Sequence, residues 1–523
     1  MRTSGIRGRP AALPGLVLAA LLGLLGVGVA PAVAIDPSAV TAIEVHKFEQ
    51  PDRIGDPASG LPQDTAGLIP VAGASFTAKP VPGIDLTTSA GQAAAAALTP
   101  AEAAALVAGL PAAAQDTTDA AGNATLAPLG VGLYYVEETA TPAGYVGSAP
   151  FLVALPLTDP VNRDGWLTTV HVYPKNAPVS IDLSIADADA VKLGDAVRWT
   201  ARSDIPNQPE IDGYRIGLRF PSGLEVTGGA SAAAVAVECG AAACPELIAG
   251  VHYTRALDAA TRTLAIDFTA AGRQVLAAAV AAHPEARVVT RVDTRVLAEG
   301  EHRVRAELAA SRAIIDGAPG APGPVSDTAL TKWGPLAILV HERGKPRNLI
   351  PGAKFKLFLS AEDARRGRNP ITVDGADEWT TDADGSIVIH GLRFSDFVDG
   401  LEREESDPLF RFYYVILTEI PEGYSGEKHP IALTVTSTTE AEVAVVELWR
   451  DGGDDDDDGD GDDGRDDGDD GDGGDLAITG AQTTGLVLLA VLLGGVGILL
   501  VARRRERERG ESAEPSGREN TEQ

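Results

Sequence analysis

The chain of 523 residues lacks the common sequence signatures of enzymes. It contains no His-Glu-x-x-His metal motif, no Gly-x-Ser-x-Gly nucleophile elbow and no phosphate-binding glycine loop. Its eight histidines are scattered, and no segment is basic enough to indicate nucleic acid binding. No twelve-residue loop that closes on glutamate indicates a calcium site. These absences predict a protein that is not an enzyme, with no cofactor, no metal site and no nucleic acid partner.

The net charge of −31 is concentrated in one short segment. Residues 451–475 contain fifteen Asp and one Arg among glycines, and they contribute −14 by themselves. Such a block cannot bury apolar surface, so we expect an extended, self-repelling spacer. Loose calcium binding by the aspartates is the alternative interpretation.

The N-terminus carries the pattern of an export signal. Three arginines within the first nine residues precede an apolar run at 13–29, and Ala32-Val33-Ala34 has the small residues of a cleavage site. Residues 1–34 are therefore predicted to be a signal peptide. In an exported chain, Cys239 and Cys244 favour a local disulfide over a reactive thiol.

The C-terminus places a short motif before an apolar run and a basic stop. The motif consists of Leu476, Ala477, Ile478, Thr479 and Gly480. Residues 485–502 are eighteen uncharged residues, which reach about 27 Å as a helix, close to the ~30 Å hydrocarbon thickness of a bilayer. Three arginines follow and place residues 503–523 in the cytoplasm. An ordinary single-pass anchor is one interpretation of this pattern.

The same arrangement resembles the cell-wall sorting signal of Gram-positive bacteria. The form with Ala477, where proline is commonest, is similar to signals of high-GC actinobacteria. This resemblance implies that a sortase cleaves between Thr479 and Gly480 and passes the threonine carbonyl to an amine. It also implies that residues 485–502 anchor the chain in the membrane only transiently, before the protein is attached to the cell wall.

Alternating apolar residues dominate the exported part of the chain. Examples lie at 43–46 and 432–435, and turn residues separate such runs, which predicts an all-β fold of tandem sandwiches. Two helices are expected within this fold. Thr99 as N-cap, a following proline and Glu102 at the third helical position predict a helix inserted in the first domain. A second helix is predicted at 271–282.

An internal repeat relates two distant segments. Gly-Ala-Ser-Phe at 73–76 recurs as Gly-Ala-Lys-Phe at 352–355, and Tyr-Tyr-Val at 134–136 recurs at 413–415. Both pairs have the same offset of 279 positions, so the first and third domains are predicted to share a fold. The expected domains are an N-terminal domain at 35–176, a middle domain at 177–331 and a C-terminal domain at 332–450.

Two motifs of the first domain resemble those of sortase-assembled pilins. Tyr-x-Val-x-Glu-Thr-x-x-Pro-x-Gly-Tyr at 134–145 is similar to their E-box, and Val-Tyr-Pro-Lys-Asn at 172–176 is similar to their pilin motif. With the export and sorting signals, the whole chain resembles the actinobacterial shaft pilins of the SpaA and type-1/type-2 fimbrial group. The resemblance implies an N-domain, an immunoglobulin-like middle domain and a C-terminal domain of the collagen-adhesin B type.

The resemblance also implies a function. Lys175 of one subunit would attack the sortase-bound Thr479 of another, and the product would be a covalent, wall-anchored fimbria that mediates adhesion. The implied partners are a sortase, further copies of the chain, minor pilins, peptidoglycan and a host or bacterial surface ligand. A monomeric wall-anchored adhesin, in which Lys175 is a solvated interdomain lysine, is the main alternative. A secreted enzyme with an unrecognised site is a weaker one.

A second reaction is implied inside the first domain. Lys47 shares a strand face with Ile43 and Val45 by the period of two. The resemblance implies that Lys47, Glu138 and Asn176 form a self-generated intramolecular isopeptide bond. Burial is expected to leave a neutral amine and a protonated acid, because it disfavours both charges. An ordinary ion pair of Lys47 and Glu138 near the surface is the alternative.

The other two domains depart from this pattern. The equivalent positions are apolar, with Val340, Leu417 and Leu448 in the C-terminal domain and Leu183, Leu218 and Val304 in the middle domain. An apolar trio can replace a buried polar one and still pack well, so neither domain is predicted to carry the crosslink. Misalignment is the alternative, with Glu419 and Asn348 as the polar residues.

Overall fold

The computed structural model describes residues 34–51, 59–161 and 165–451. Most of the predicted signal peptide and spacer lies outside the described residues, as do the sorting motif, the apolar span and the C-terminal tail. Within the described ranges, no helix is long and apolar enough to cross a membrane. The chain divides into two compact units, a first unit at 1–177 and a second unit at 178–523.

The first unit is built from short strands. These strands are β1 Thr41–His46, β2 Phe48–Glu49, β3 Ser75–Pro80, β4 Ala114–Thr117, β5 Asn123–Leu129, β6 Gly132–Ala140, β7 Tyr145–Val146, β8 Phe151–Leu155, β9 Leu157–Thr158, β10 Trp166–Leu167, β11 Thr169–Val172 and β12 Lys175–Pro178. Their sheets have the orders β11-β1-β5, β2-β12-β7, β4-β3-β6-β8 and β10-β9. Alternate residues of β1 are buried, including Ile43 and Val45, as the period of two predicts.

Two short helices interrupt the first unit between β3 and β4. They are α1 Ser89–Ala97 and α2 Pro100–Leu106. At the start of α2 the side chains of Thr99 and Glu102 cap each other's backbone N–H groups, and proline is at the first helical position. The predicted inserted helix is therefore present, and α1 precedes it.

The second unit continues the strand-rich architecture. Its strands are β13 Ile181–Ala186, β14 Ala196–Asp204, β15 Arg215–Arg219, β16 Leu224–Val226, β17 Ala234–Glu238, β18 Tyr253–Asp258, β19 Thr263–Phe268, β20 Arg287–Val296, β21 Gly300–Ala309, β22 Val325–Glu342, β23 Lys345–Leu349, β24 Lys354–Phe358, β25 Trp379–Thr380, β26 Ser386–Arg393, β27 Phe397–Val398, β28 Leu401–Glu402, β29 Tyr413–Glu419, β30 Tyr424–Ser425, β31 Ile431–Leu433 and β32 Glu442–Arg450. Its helices are α3 Ala270–Ala282, α4 Arg312–Asp316 and α5 Ala361–Arg366. The helix predicted at 271–282 thus begins one residue earlier, after the N-cap Thr269.

One long strand, β22, lies at the centre of the largest sheet of the second unit. β22 pairs with β21 along its first part, and with β26 and β32 along its second part. The pairing with β32 is parallel and joins residues 336–342 to residues 442–448. Since β22 continues through residues 331 and 332, the segments expected as middle and C-terminal domains share this strand. The tandem β architecture confirms the fold class predicted from the sequence.

A loop after β13 is also fixed to the end of β26 and to β27. The Asp399 carboxylate accepts hydrogen bonds from the N–H groups of Asp187 at 2.8 Å and Ala188 at 3.1 Å. In return, the Asp187 carboxylate accepts from the Asp399 N–H at 2.7 Å. Farther along the loop, Leu193 donates to the Gly391 carbonyl at 2.8 Å. These bonds satisfy backbone groups of the 187–193 loop and of residues 391–399. Besides β22, they form a second connection, here called the joint, between the segments expected as middle and C-terminal domains.

Candidate functional site

Three buried polar side chains meet in the core of the first unit. The Lys47 Nζ donates to the Glu138 Oε2 at 2.8 Å, and the Asn176 Nδ2 donates to the Glu138 Oε1 at 2.8 Å. Lys47 and Asn176 have no exposed surface, and the Glu138 side chain is 1% exposed. The structure therefore brings together the three residues that the sequence analysis grouped, with the glutamate between the amine and the carboxamide. The ion pair is buried, not near the surface.

Local backbone pairing explains how the three side chains meet. Lys47 is the buried residue between β1 and β2, one position beyond the end of the strand on which it was predicted. Glu138 lies on β6, opposite Phe76 of β3, and the Lys47 Nζ is 5.3 Å from the centre of the Phe76 ring. Asn176 lies on β12, which pairs in parallel with β2. The residue after the first strand and a residue of the last strand thus bring the amine and the carboxamide to the Glu138 carboxylate on β6.

The two charged groups have shifted pKa values. Burial lowers the pKa of Lys47 to about 8, although the charge of Glu138 acts in the opposite direction. Burial by itself raises the pKa of Glu138, but the positive charge of Lys47 and the hydrogen bond from Asn176 outweigh it, so this pKa is lowered. The Lys47 amine is therefore easier to deprotonate than that of an ordinary lysine, which is the expected direction, but with a pKa of about 8 it is still mostly charged at neutral pH. The expectation of a protonated acid is wrong, because Lys47 and the surrounding donors stabilise the carboxylate.

Ser148 is a further member of this cluster that the sequence analysis missed. Its Oγ accepts a hydrogen bond from the Lys47 Nζ at 2.9 Å and donates to the Glu138 Oε2 at 2.9 Å. Its backbone N–H donates to the same oxygen at 2.9 Å. Ser148 lies three residues after the E-box-like segment. Its nearness to Glu138 in the sequence was the only sign, and a weak one, that it could belong to the cluster.

Lys175 lies next to Asn176 but in different surroundings. Its side chain is half-buried, and its Nζ lies 5.4 Å from the Phe48 ring centre and 6.0 Å from the Tyr173 ring centre. Burial lowers the pKa of the Lys175 amine. An amine held over two aromatic faces in this way is partly desolvated and partly stabilised as a cation. Thr479, its expected reaction partner, lies outside the described residues.

Backbone hydrogen bonds identify the counterpart of Lys47 in the second unit. The Lys47 N–H donates to the Gly122 carbonyl at 2.7 Å, and its carbonyl accepts from the Val71 N–H at 3.0 Å. Val340 makes the same two bonds: its N–H donates to the Gly385 carbonyl at 2.8 Å, and its carbonyl accepts from the Ile350 N–H at 2.9 Å. The match does not depend on the sequence comparison, and it places a valine where the first unit has a lysine.

The other two positions correspond in the same manner. Glu138 and Leu417 each lie opposite a buried phenylalanine of the neighbouring strand. The Asn176 carbonyl accepts from the N–H of Gln50, three residues after Lys47, at 2.7 Å. The Leu448 carbonyl accepts from the N–H of Arg343, three residues after Val340, at 2.8 Å. All three apolar counterparts are buried in one hydrophobic cluster.

The polar residues of the alternative alignment lie elsewhere. The Glu419 side chain is 62% exposed and is paired with Lys354, and Asn348 donates to Glu342 at the β22–β23 hairpin. Neither residue takes the place of Leu417 or Leu448 in the hydrophobic cluster.

The remaining predicted residues lie in the segment expected as the middle domain. Leu183, Leu218 and Val304 are all buried there, on β13, β15 and β21. Cys239 and Cys244 are bonded to each other, with their Cα atoms 5.7 Å apart. The sorting motif, residues 476–480, lies outside the described residues.

Sequence comparisons relate the chain to fimbrial proteins. Residues 41–177 match the family model of the Gram-positive pilin subunit D1, N-terminal domain. The chain is 29% identical to the type 2 fimbrial subunit of Actinomyces naeslundii, over 97% of this chain and 98% of that protein. It is 26% identical to the type 1 fimbrial subunit of Actinomyces viscosus, over 79% of this chain and 83% of that protein.

Solved structures share the fold. The full-length major pilin SpaD of Corynebacterium diphtheriae aligns with a TM-score of 0.59 and 23% identity, covering 80% of this chain and 99% of SpaD. The major pilin SpaA of the same organism aligns with a TM-score of 0.56 and 23% identity, covering 78% of this chain and 100% of SpaA. Together with the sequence relatives, these likenesses confirm the resemblance stated from the motifs.

Proposed function

We propose that this chain is a structural subunit of a cell-surface pilus and, in that role, a sortase-assembled shaft pilin, because it is similar to a fimbrial subunit over 97% of its length. The cysteine of the sortase takes the Thr479 carbonyl of one subunit as a thioester and releases the peptide that begins at Gly480. The Lys175 amine of another subunit attacks the thioester carbon. The cysteine thiol then leaves, and an amide bond joins the two subunits.

The surroundings of Lys175 carry this proposal. Only a neutral amine attacks a thioester, and burial against Phe48 and Tyr173 lowers the pKa of this amine, which enlarges its neutral fraction. β12 fixes the backbone at this position through its pairing with β2. A solvated interdomain lysine would have neither the lowered pKa nor the aromatic contacts.

Immunoblots of cell-wall extracts test the polymer. Wild-type cells should give a ladder of covalent multimers, and both Lys175→Ala and Lys175→Arg should give a single band. Arginine keeps the positive charge and the aromatic contact but supplies no nucleophilic amine. Lys79→Ala is the control, because Lys79 is a partly buried lysine of the same unit. A single band in wild type would favour the monomeric adhesin, and a ladder in Lys175→Arg would exclude the proposed nucleophile.

The sequence motifs outside the described residues complete this proposal. Residues 485–502 hold the precursor in the membrane until the sortase cleaves at Thr479, and the last subunit is passed to an amine of peptidoglycan. The Asp-rich spacer, residues 451–475, separates the folded units from the cleavage site. The assembled fimbria then presents its subunits to a host or bacterial surface ligand.

We also propose that Lys47 and Asn176 form an intramolecular isopeptide bond. The Lys47 ammonium gives a proton to the Glu138 carboxylate, and the neutral amine attacks the Asn176 Cγ. The protonated Glu138 gives its proton to the departing amide nitrogen, which leaves as ammonia, and takes the second proton of the attacking lysine nitrogen. The amide bond formed replaces the carboxamide C–N bond broken, and Glu138 ends as the carboxylic acid, which returns to the carboxylate when it releases this proton to solvent. The geometry supports this proposal because one carboxylate contacts both reactants at 2.8 Å.

Intact mass of the secreted part, residues 35–475, tests this bond. The mass should be lower than the sequence mass by one ammonia, about 17 Da. Glu138→Ala should restore the full mass, whereas Glu137→Ala, on the same strand, should not. The apolar trios of the second unit predict a loss of one ammonia and not two. A full mass in wild type would exclude the crosslink, and a double loss would locate a second one in the second unit.

A further inference from the structure

Ser148 contacts both partners of the proposed proton transfer in the first unit. Its hydroxyl accepts from the Lys47 Nζ at 2.9 Å and donates to the Glu138 Oε2 at 2.9 Å. It therefore forms a second path, beside their direct contact at 2.8 Å, between the group that must lose a proton and the group that must gain one. A hydroxyl has one proton to donate and two lone pairs, so it can accept from one side while donating to the other.

The same residue fixes the orientation of the carboxylate. The Glu138 Oε2 accepts from the Lys47 Nζ, the Ser148 hydroxyl and the Ser148 N–H, whereas the Oε1 accepts from the Asn176 Nδ2. Three donors thus hold the Oε2 of the charged carboxylate, while the Oε1 faces the carboxamide. The Asn176 Oδ1 is buried and has no hydrogen-bond partner among the described residues. Once Glu138 is protonated, it has a proton that it can donate to this oxygen.

Resting on the proposed crosslink, we propose that Ser148 is a catalytic residue of isopeptide formation, acting as a proton relay from Lys47 to Glu138. The hydroxyl takes a proton from the lysine ammonium and gives its own proton to the carboxylate. The result is a neutral amine, a carboxylic acid and an unchanged serine. The amine then attacks the Asn176 Cγ, Glu138 gives its proton to the departing nitrogen, and ammonia leaves. Glu138 takes the second proton of the attacking nitrogen, so the product is a neutral amide and a carboxylic acid.

Gly147 allows this contact. A Cβ at Gly147 would lie 2.6 Å from the Thr141 Oγ1 and 3.5 Å from the Glu138 Cδ, so a side chain there would clash with Thr141 beside the carboxylate. In the C-terminal repeat, the offset of 279 places Gly426 and Glu427 at these positions. The serine is thus replaced by a largely exposed Glu427 in the repeat where the trio is apolar. The hydroxyl is therefore present in the repeat with the polar trio and absent from the repeat with the apolar one.

The rate of ammonia loss tests the relay. The secreted chain, residues 35–475, is synthesised in a short pulse, and its intact mass is followed over time from pH 6 to pH 9. Ser148→Ala should crosslink about 100-fold more slowly, within the range that general acid–base catalysis contributes. Its rate should rise with pH through the Lys47 pKa of about 8, because solvent then removes the proton. The wild-type rate should depend less on pH.

Ser148→Thr keeps the hydroxyl and should restore most of the rate. Thermal melting before crosslinking shows whether each variant is folded, and the Ser148 N–H bond to Glu138 is retained in both variants. Equal rates for wild type and folded Ser148→Ala would overturn the relay while leaving the crosslink in place. A slow Ser148→Thr with the pH profile of alanine would also overturn it. A wild-type chain that never loses ammonia would exclude both the crosslink and the relay.

Discussion

Replacing one member of the buried trio should destabilise the first unit far more than replacing all three. Glu138→Leu leaves the fully buried Lys47 amine without the carboxylate at 2.8 Å. The triple variant Lys47→Val, Glu138→Leu, Asn176→Leu introduces the residues found at the equivalent positions of the C-terminal repeat. Neither variant can form the isopeptide bond, so the comparison isolates the noncovalent cost of the buried charge.

The expected difference is large. Removing one partner of a buried ion pair costs about 3–5 kcal/mol, whereas apolar replacement of the whole group is neutral or stabilising. Glu138→Leu should therefore be less stable than the triple variant by at least this amount. At ~2–4 °C per kcal/mol for a domain of this size, the melting temperatures should differ by roughly 6–20 °C. The clustering of Val340, Leu417 and Leu448 in one core indicates that the triple replacement packs well.

Scanning calorimetry of residues 35–475 measures this difference in the transition of the first unit. Glu137→Leu is the matched control, because Glu137 lies on the same strand and forms a partly exposed ion pair with Lys79. Its loss should cost no more than about 1 kcal/mol. The reasoning is refuted if Glu138→Leu melts at or above the temperature of the triple variant.

Two other predictions concern pH and the joint of the second unit. In Asn176→Leu, which keeps Lys47 but cannot crosslink, the unfolded state binds more protons than the folded state between pH 8 and 10.5. The free energy of unfolding from urea titrations should rise by up to about 3 kcal/mol over this window, and a flat profile would contradict the lowered pKa. Asp399→Ala removes the acceptor of two backbone N–H groups of the 187–193 loop and should destabilise the second unit by about 1–3 kcal/mol in calorimetry. The exposed Asp384→Ala should change nothing, and equal effects of both variants would argue against the joint.

Much of the architecture could be predicted from local sequence signals. The alternation at 43–46 is a property of neighbouring residues, and the pleat of a strand converts it directly into burial. The capping box at Thr99 and Glu102 similarly involves residues within one helical turn. The offset of 279 identified Leu417 as the counterpart of Glu138. The counterparts predicted for Lys47 and Asn176, at 340 and 448, are the residues that make the equivalent backbone hydrogen bonds.

The chemistry of the buried cluster was less predictable. Ser148 has no distinguishing sequence pattern, and it becomes important only because the fold brings its hydroxyl and its N–H to the Glu138 carboxylate. The charge state of Glu138 was predicted wrongly because burial was considered without the neighbouring donors. Lys47, Asn176 and Ser148 all stabilise the carboxylate, and their sum exceeds the cost of burial.

By itself, the sequence determined which groups are present and which strands carry them, because side-chain alternation and terminal signals depend on adjacent residues. Only the tertiary structure decided that residues 91 and 38 positions distant from Glu138 share its two oxygens, that the pair is fully buried, and that a serine completes the cluster. Electrostatic energies depend on distance in space and on exclusion of water, and neither quantity is encoded in the spacing along the chain.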